Sequence, residues 1–234
     1  MNRKIKIGII IIIVLVIAYA AFTFLSYNHA EDTATKYLNG TSEVSVVKID
    51  NGLFVDGEGN DTALIFYPGA KVEYTSYLPM LCDLASEGVD CYVVQMPFNF
   101  AIFGENEADS IIDSTNYSHY LLSGHSMGGY VASSYMAHSG KGDGLVLFAA
   151  YPTEKVEKPV LSIYGSDDGV LNFKTYNESK TLMDNLTEVI IDGGNHAQFG
   201  YYGNQSGDNP SKITPERQQS ESVDEIVKFI DKLT

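Results

Sequence analysis

The sequence predicts an α/β fold in which a mostly parallel sheet carries helices on both faces. Short apolar runs of strand length alternate along the chain with runs of helical spacing. Most of these strand-length runs are continuously apolar, as expected of strands that are buried on both faces. Apolar residues make up 44% of the 234 residues, which is enough to build the core of one sizeable domain.

The chain begins with a short basic segment, residues 1–6, and continues with 19 uncharged, mainly apolar residues at 7–25. At about 1.5 Å per residue this run nearly crosses a hydrocarbon core. The basic side comes first, so the positive-inside rule places residues 1–6 in the cytoplasm and the rest of the chain outside. We therefore predict a single-pass signal-anchor in the cell membrane at 7–25, a polar tether at 26–43 and a folded extracellular domain at 44–234.

A signal peptide that is cleaved to release a secreted protein is the alternative, because Ala18-Tyr19-Ala20 resembles a cleavage site. The apolar run is longer than the hydrophobic region of most signal peptides, which favours the uncleaved anchor. A buried core helix is disfavoured because the run is apolar on all its faces.

The folded domain opens with a predicted hairpin whose strands, 44–49 and 53–55, flank the turn residues Asp50-Asn51-Gly52. Proline and glycine then mark where several apolar runs stop, as at Pro68-Gly69. On this basis we predict further strands at 63–67, 91–95, 120–123, 145–149, 160–164 and 188–191. Helical spacing predicts helices at 77–86, 108–113, 130–138 and 176–183, and an amphipathic final helix at 223–233.

The strand at 120–123 leads into Gly124-His125-Ser126-Met127-Gly128, and a helical run follows. Gly-x-Ser-x-Gly between a strand and a helix is the pattern of a nucleophile elbow, with the serine at a sharp, strained turn. The helix N-terminus beneath the hydroxyl favours negative charge that develops there. A tight glycine-rich turn without a catalytic role can show the same five residues, but the strand before and the helix after favour a catalytic Ser126.

A serine nucleophile needs a base, and the chain has five histidines. Three are remote from the elbow, in the tether, at the foot of its strand and at the far end of its helix: His29, His119 and His138. His125 adjoins the serine, but the turn should direct its side chain elsewhere. His196 follows a strand directly, and strand ends meet at one edge of a parallel sheet. We predict that His196 is the general base. The alternative is a loop histidine without a catalytic role.

The base needs an acid that holds its tautomer and stabilises the imidazolium. Asp167 and Asp168 both follow a predicted strand, and either could serve. The chain order Ser126, Asp168, His196 matches the order of serine, acid and histidine in α/β-hydrolases. Paired carboxylates could instead bind a cation, but no third acid lies at a nearby spacing, which disfavours calcium.

The oxyanion of the transition state needs preorganised donors. One is the backbone N–H of Met127, the residue after the nucleophile. The second should come from the loop after an earlier strand, Pro68-Gly69-Ala70-Lys71, where we expect the N–H of Ala70 to donate. The other interpretation of Pro-Gly at this place is a simple turn.

With these residues the chain resembles an α/β-hydrolase, and more closely a compact branch of uncharacterised bacterial hydrolases, over about residues 44–233. Besides the elbow, the resemblance rests on Phe-Tyr-Pro-Gly-Ala-Lys-Val at 66–72, Met-Pro-Phe-Asn at 96–99 and the histidine segment at 193–203. It implies Ser126 as nucleophile, His196 as base and Asp168, rather than Asp167, as acid. Ala70 departs from the resembling pattern, in which Gly is expected at this position.

Many lipases and epoxide hydrolases of this kind insert a helical cap between the strands predicted here at 145–149 and 160–164. Only about ten residues separate these strands, so no large cap fits, and we expect an open site. The segments 98–106 and 199–202 could line its mouth or pack against the core.

The sequence therefore predicts a membrane-anchored, extracytoplasmic serine hydrolase that cleaves carboxylic esters of small molecules through an acyl-enzyme. A thioesterase or an acyltransferase could use the same three residues, because fold and triad do not fix the substrate. A surface binding module without activity is a further alternative, which the intact serine, acid and histidine disfavour.

No cofactor or metal is implied, since neither Cys82 nor Cys91 has a partner at metal-ligand spacing. These two cysteines could be neighbours, and the sequence favours free thiols over a bridge. The net charge of −15 disfavours binding to nucleic acid. The oligomeric state is not indicated.

Overall fold

The computed structural model describes residues 2–59 and 61–233. Met1 and Thr234, the outer limits of two predicted segments, lie outside them. The described chain forms an eight-stranded sheet in the order β1-β2-β4-β3-β5-β6-β7-β8. The first two strands form an antiparallel hairpin at one edge, β1 (Ser45–Ile49) and β2 (Gly52–Asp56). The others run parallel: β3 (Thr62–Tyr67), β4 (Asp90–Val94), β5 (His119–His125), β6 (Gly144–Phe148), β7 (Val160–Gly165) and β8 (Leu186–Ile191).

The α-helices of the described chain are α1 (Arg3–Leu25), α2 (Asp32–Thr35), α3 (Leu78–Ser86), α4 (Glu107–Ile112), α5 (Met127–Ser139), α6 (Phe173–Ser179) and α7 (Pro215–Ile230), and short 3₁₀ turns lie between them. Alternate residues of β3 belong to two separate apolar clusters, since Leu64 and Phe66 pack in one and Ile65 in the other. Residues of α3, α6 and α7 join the first cluster, and residues of α4 and α5 join the second. The sheet is therefore covered on both faces, which confirms the predicted fold class.

The parallel strands place the loops after β3, β4, β5, β7 and β8 at one edge, which we call the carboxyl edge. The connection from β6 to β7, residues 149–159, is described throughout and contains no helix. Within the part of the chain that the structure describes, no large cap covers the carboxyl edge, as predicted. Cys82 and Cys91 are both buried, and both are free thiols.

The segment predicted as a tether, 26–43, contacts the body of the domain closely. The Asn28 amide donates to the Lys71 carbonyl at 2.7 Å, and Asn28 forms an isolated parallel β-bridge with the next residue, Val72. Ala34 in α2 is fully buried. We call residues 28–39 the N-terminal strap, because they lie against the body instead of holding it at a distance.

Helix α1 has a mean hydropathy of 2.8 over its most apolar part, and none of that part is buried against the rest of the described chain. By length and composition it could be a membrane anchor or a signal sequence. The predicted domain limits at 6, 25 and 43 remain predictions.

The final helix begins eight residues earlier than the predicted start at 223. Thr214 caps it by accepting a hydrogen bond from the Arg217 amide at 3.3 Å, and Pro215 occupies its first turn. The first half of α7 buries Gln218, Gln219 and Ser222. These polar residues on the inner face conceal the amphipathic pattern on which the prediction depended.

Candidate active site

Ser126 lies at the turn between β5 and α5 with φ 53° and ψ −121°. Positive φ is rare for a residue with a side chain and costs of the order of 1–3 kcal/mol unless neighbours impose it. A Cβ on Gly124 would lie 2.4 Å from the Gly128 carbonyl carbon, and one on Gly128 would lie 2.0 Å from the Tyr67 carbonyl oxygen. Strand and helix therefore approach as closely as the two glycines allow, which is the expected geometry of the elbow.

The structure brings His196 and Asp168 together in the interior. His196 Nδ1 lies 2.9 Å from Asp168 Oδ2, and both side chains are almost fully buried, at 1% and 0% exposed. The other carboxylate oxygen accepts hydrogen bonds from the amides of Val170 and Leu171 at 2.8 and 2.7 Å. Two backbone amides thus hold Asp168 in place as an acceptor that fixes the proton of the imidazole on Nδ1.

The neighbouring Asp167 is placed differently. Its two carboxylate oxygens lie 2.9 and 3.1 Å from Nζ of the exposed Lys212. Of the two aspartates between which the sequence left a choice, Asp168 contacts His196, and Asp167 forms an ion pair at the surface.

Two features bring the Asp168 and His196 loops close enough to meet. A Cβ on Gly165 would lie 2.2 Å from the backbone of Gly194, so the loops touch backbone to backbone there. Gln218 of α7 accepts from the Asn195 amide at 2.9 Å and donates to the Asn195 carbonyl at 2.8 Å. The residue before His196 is therefore held on both sides by one buried side chain.

His125 points away from the serine, as expected, but it contacts the proposed base. Its Nε2 lies 3.1 Å from the His196 carbonyl, and its Nδ1 lies 2.9 Å from the Tyr77 hydroxyl, which also lies 3.1 Å from the Gly69 amide. A carbonyl can only accept, so Nε2–H donates to His196, Tyr77 donates to Nδ1, and Gly69 donates to Tyr77.

This chain of hydrogen bonds links the His196 loop to the loop that carries Ala70. His125 is completely buried, and its burial together with the nearby His196 lowers the pKa of His125 well below its usual value. The ring is therefore neutral, as the hydrogen bonds require. The contacts of His125, Tyr77 and Gln218 were not predicted from the sequence; only the position of His125 beside the serine pointed to any of them.

The two predicted oxyanion donors lie on either side of the elbow. Met127 begins α5, and Ala70 lies in the loop after β3, where Gly128 packs against Tyr67. Among the described residues, neither the Ala70 nor the Met127 amide donates a hydrogen bond to another protein group. Met127 lines the cleft described next, whereas Ala70 does not.

Ser126 and His196 line one cleft of about 410 Å³. His196 Nε2, the ring nitrogen opposite Asp168, is buried and makes no hydrogen bond within residues 2–59 and 61–233. The rest of the wall is uncharged: Met127, Tyr130, Ala149, Ala150, Tyr151, Thr153, Val170, Leu171 and Asn172. The cleft thus combines a strained serine, an imidazole nitrogen without a partner and an apolar wall, which suits the binding of a small uncharged ligand.

The two segments that could have lined the mouth have different positions. Phe199, Tyr201 and Tyr202 are buried and pack in the core. Phe98 and Phe103 are exposed, at 75% and 60%. Neither segment contributes to the cleft.

Comparison with known proteins gives one family. The family model described as the alpha/beta hydrolase family matches residues 63–220 of the chain. This range includes the elbow and the Asp168 and His196 loops. No curated protein gives a significant match.

Solved structures show the same fold at low sequence identity. An alpha/beta hydrolase enzyme from the metagenome of lagoon sediments in Morocco is 15% identical, with a TM-score of 0.60 over 80% of this chain and 99% of that one. Carboxyl esterase 2 from the fungus Tuber melanosporum is 9% identical, with a TM-score of 0.60 over 89% and 91%. A membrane phospholipase A, described as a bacterial virulence factor, is 14% identical, with a TM-score of 0.57 over 99% of each chain.

Proposed function

The chain belongs to the alpha/beta hydrolase family, and from this membership we propose that it is a serine hydrolase that cleaves carboxylic esters. The observation that carries the proposal is the buried pair of His196 and Asp168, 2.9 Å apart, in the cleft that Ser126 also lines. A serine at a strained elbow, a histidine with one unpartnered nitrogen and a buried acid are the groups that acyl transfer through a triad requires.

In the first half of the proposed reaction the Ser126 hydroxyl attacks the ester carbonyl while His196 Nε2 takes its proton. Asp168 keeps the other proton on Nδ1 and stabilises the imidazolium that forms. The amides of Met127 and Ala70 donate to the oxyanion of the tetrahedral intermediate. His196 then returns the proton to the leaving alkoxide, which departs as an alcohol and leaves Ser126 acylated.

In the second half a water molecule loses a proton to His196 Nε2 and attacks the acyl carbonyl. Collapse of the intermediate breaks the bond to Ser126, which regains its proton from His196. The products are an acid and a free enzyme. The chain of hydrogen bonds through His125 and Tyr77 holds the backbone of His196 during both halves, and Gln218 holds Asn195 beside it.

The wall of the cleft favours a neutral, partly apolar acyl group. Apart from His196, its side chains carry no charge, and the chain as a whole carries −15, which disfavours anionic substrates. Two of the structural neighbours are described as a carboxyl esterase and a phospholipase, and both names denote ester hydrolysis.

We also propose that α1 anchors the enzyme in the cell membrane with the domain outside. None of the apolar span Arg3–Phe22 is buried against the rest of the described chain, and Arg3, Lys4 and Lys6 lie at its N-terminal end. An intact mass that includes residues 1–25, in protein extracted from cell membranes, supports the anchor. A mature chain that begins after Ala20 would show a cleaved signal peptide.

A fluorophosphonate probe tests the catalytic proposal, because it reacts with activated serines. We expect full-length wild type to be labelled at Ser126 and to hydrolyse p-nitrophenyl esters. Ser126→Ala and His196→Ala should lose labelling and roughly 10⁴-fold or more of kcat/KM. Ser123→Ala is the matched control, since Ser123 is buried in β5, three residues before Ser126, and its hydroxyl has no partner among the described residues.

Folded wild-type protein that is neither labelled nor active on esters would contradict the proposal. Release of the acyl group to an added alcohol in preference to water would identify a transferase that uses the same residues.

A further inference from the structure

The loop after β4 presents several apolar side chains to solvent. Phe98, Ile102 and Phe103 are 75%, 50% and 60% exposed, and the rings of Phe98 and Phe103 meet edge to face at 6.0 Å. We call residues 97–103 the aromatic loop. Single exposed apolar residues are common on soluble proteins, but three of them on seven residues form a patch, and such patches mark interaction surfaces.

The backbone of the aromatic loop is strained and firmly held. Phe98 and the next residue, Asn99, have φ values of 55° and 57°, in the left-handed region that is unfavourable for residues with side chains, and more so for Phe than for Asn. The Asn99 amide donates to the Met96 carbonyl at 3.0 Å, and the Asn99 carbonyl accepts from the Lys71 amide at 2.7 Å. The fold thus maintains an unfavourable conformation that turns the Phe98 ring outward.

The aromatic loop lies beside the point where the chain leaves α1. Lys71 joins the two, because its amide donates to Asn99, its carbonyl accepts from Asn28 at 2.7 Å, and its Nζ lies 3.3 Å from Ser26 Oγ. Tyr27 and Phe98 line a common cleft of about 280 Å³. The last residue of α1 is three positions before Asn28, a reach of at most about 11 Å.

We propose that the aromatic loop is a second membrane contact, in which Phe98, Ile102 and Phe103 insert into the boundary between lipid headgroups and acyl chains. The proposal rests on the membrane anchor proposed above. With α1 in the bilayer, its end lies at the membrane surface, and the few residues between it and Asn28 keep the neighbouring aromatic loop close to that surface. Aromatic and aliphatic side chains on a rigid support favour this boundary.

Apolar insertion, not charge, drives this contact. The domain is acidic overall, and Lys71 is the basic residue that the structure shows next to the loop. Attraction to anionic lipids therefore contributes little, and zwitterionic lipids suffice.

The contact also orients the enzyme. The aromatic loop follows β4 and so lies at the carboxyl edge, as do Ser126, Asp168 and His196. Docking turns this edge toward the lipids. If the proposed function holds, the substrate is an amphipathic acyl ester whose ester group lies at the bilayer surface.

Tryptophan fluorescence tests the contact without reference to catalysis, because the chain contains no tryptophan. Full-length Phe98→Trp and Phe103→Trp are each reconstituted in phosphatidylcholine vesicles whose acyl chains are brominated at a shallow depth. We expect the bromine to quench about half or more of the emission of both variants, at low and high salt alike. The matched control is Val47→Trp, because Val47 is 49% exposed in the middle of the edge strand β1, and it should stay unquenched.

Thermal unfolding of each variant, compared with wild type, shows that the protein is folded. Emission from Phe98→Trp and Phe103→Trp that is quenched no more than that of Val47→Trp would overturn the proposal. So would emission that is shielded from aqueous iodide but not quenched by bromine, since this places the loop against protein, such as a second copy of the chain. Labelling of Ser126 by the fluorophosphonate in the same vesicles reports on the proposed function separately.

Discussion

The two adjacent aspartates differ in what they touch, and this difference supplies a matched pair of variants. Asp168→Asn replaces the carboxyl acceptor of His196 Nδ1 with an amide that can hold the wrong tautomer of the ring. We expect kcat for a p-nitrophenyl ester to fall roughly 10⁴-fold. Asp167→Asn removes only an ion pair with exposed Lys212, so its kcat should stay within about threefold of wild type.

Steady-state kinetics of the two variants at one pH, with their thermal unfolding midpoints, shows which aspartate supports His196. Similar losses of kcat in both variants, or a larger loss in Asp167→Asn, would show that Asp168 is not the acid.

Single residues also show how far sequence reasoning reaches. Ser126 and His196 could be proposed from the sequence because such roles leave local traces, a glycine-flanked turn and a position directly after a strand. Tyr77 could not be found, since it reaches His125 across 48 residues of sequence and a buried tyrosine in a helical run is usually core. Contacts of this kind depend on how the elements pack, which no local pattern records.

The N-terminal strap is the element whose contribution to stability is most open to measurement. A chain that begins at residue 27 keeps Asn28 and Ala34 in place, whereas one that begins at residue 41 loses the buried Ala34 and the hydrogen bond from the Glu31 amide to the Tyr201 carbonyl. We expect the second truncation to lower the free energy of unfolding by about 2–4 kcal/mol.

Calorimetry on both truncations measures the effect, which corresponds to a midpoint roughly 5–15 °C lower in the shorter chain. Equal midpoints would mean that the strap lies on the body without stabilising it.

Most helices and strands could be predicted from the sequence because the spacing of apolar residues indicates them directly. The strap and the start of α7 could not. The strap is polar because only Ala34 and a few backbone groups are buried, so it reads as a linker. The start of α7 was hidden because Gln218 and Gln219 face inward to satisfy backbone groups of the His196 loop.

The stability of the whole molecule should depend on pH through His125. The folded pKa of His125 lies well below its usual value of 6.5, so below pH 6.5 the unfolded chain binds a proton that the folded chain does not. The free energy of unfolding therefore falls as the pH falls, by up to about 1.4 kcal/mol per pH unit for this one group.

Urea unfolding of wild type and His125→Asn at pH 7, 6 and 5 measures the slope. The variant will be less stable at every pH because two hydrogen bonds change. The quantity to compare is therefore the slope of the free energy of unfolding against pH, which should be smaller in the variant. His138 acts in the opposite sense, because hydrogen bonding to Glu105 raises its pKa, but it is exposed and its effect is screened by solvent. Equal slopes in wild type and variant would contradict the attribution of the pH dependence to His125.

At the scale of the whole molecule the fold class was predicted correctly because continuous apolar strands have few other solutions. The order of the strands was not predicted. It depends on crossovers such as the one that places β4 between β2 and β3, and these are fixed by long-range packing.

Only Ser26 and Tyr27 lie between the end of α1 and Asn28, whose amide and carbonyl are both hydrogen-bonded to the body. With α1 in the bilayer, no long flexible linker separates the membrane from the folded domain. If both membrane proposals hold, the enzyme meets lipid-bound substrates by lateral diffusion, in a two-dimensional search, and its active site stays at the surface of its own membrane. Its rate should then follow the mole fraction of substrate in the lipid surface, and added lipid without substrate should slow it by surface dilution.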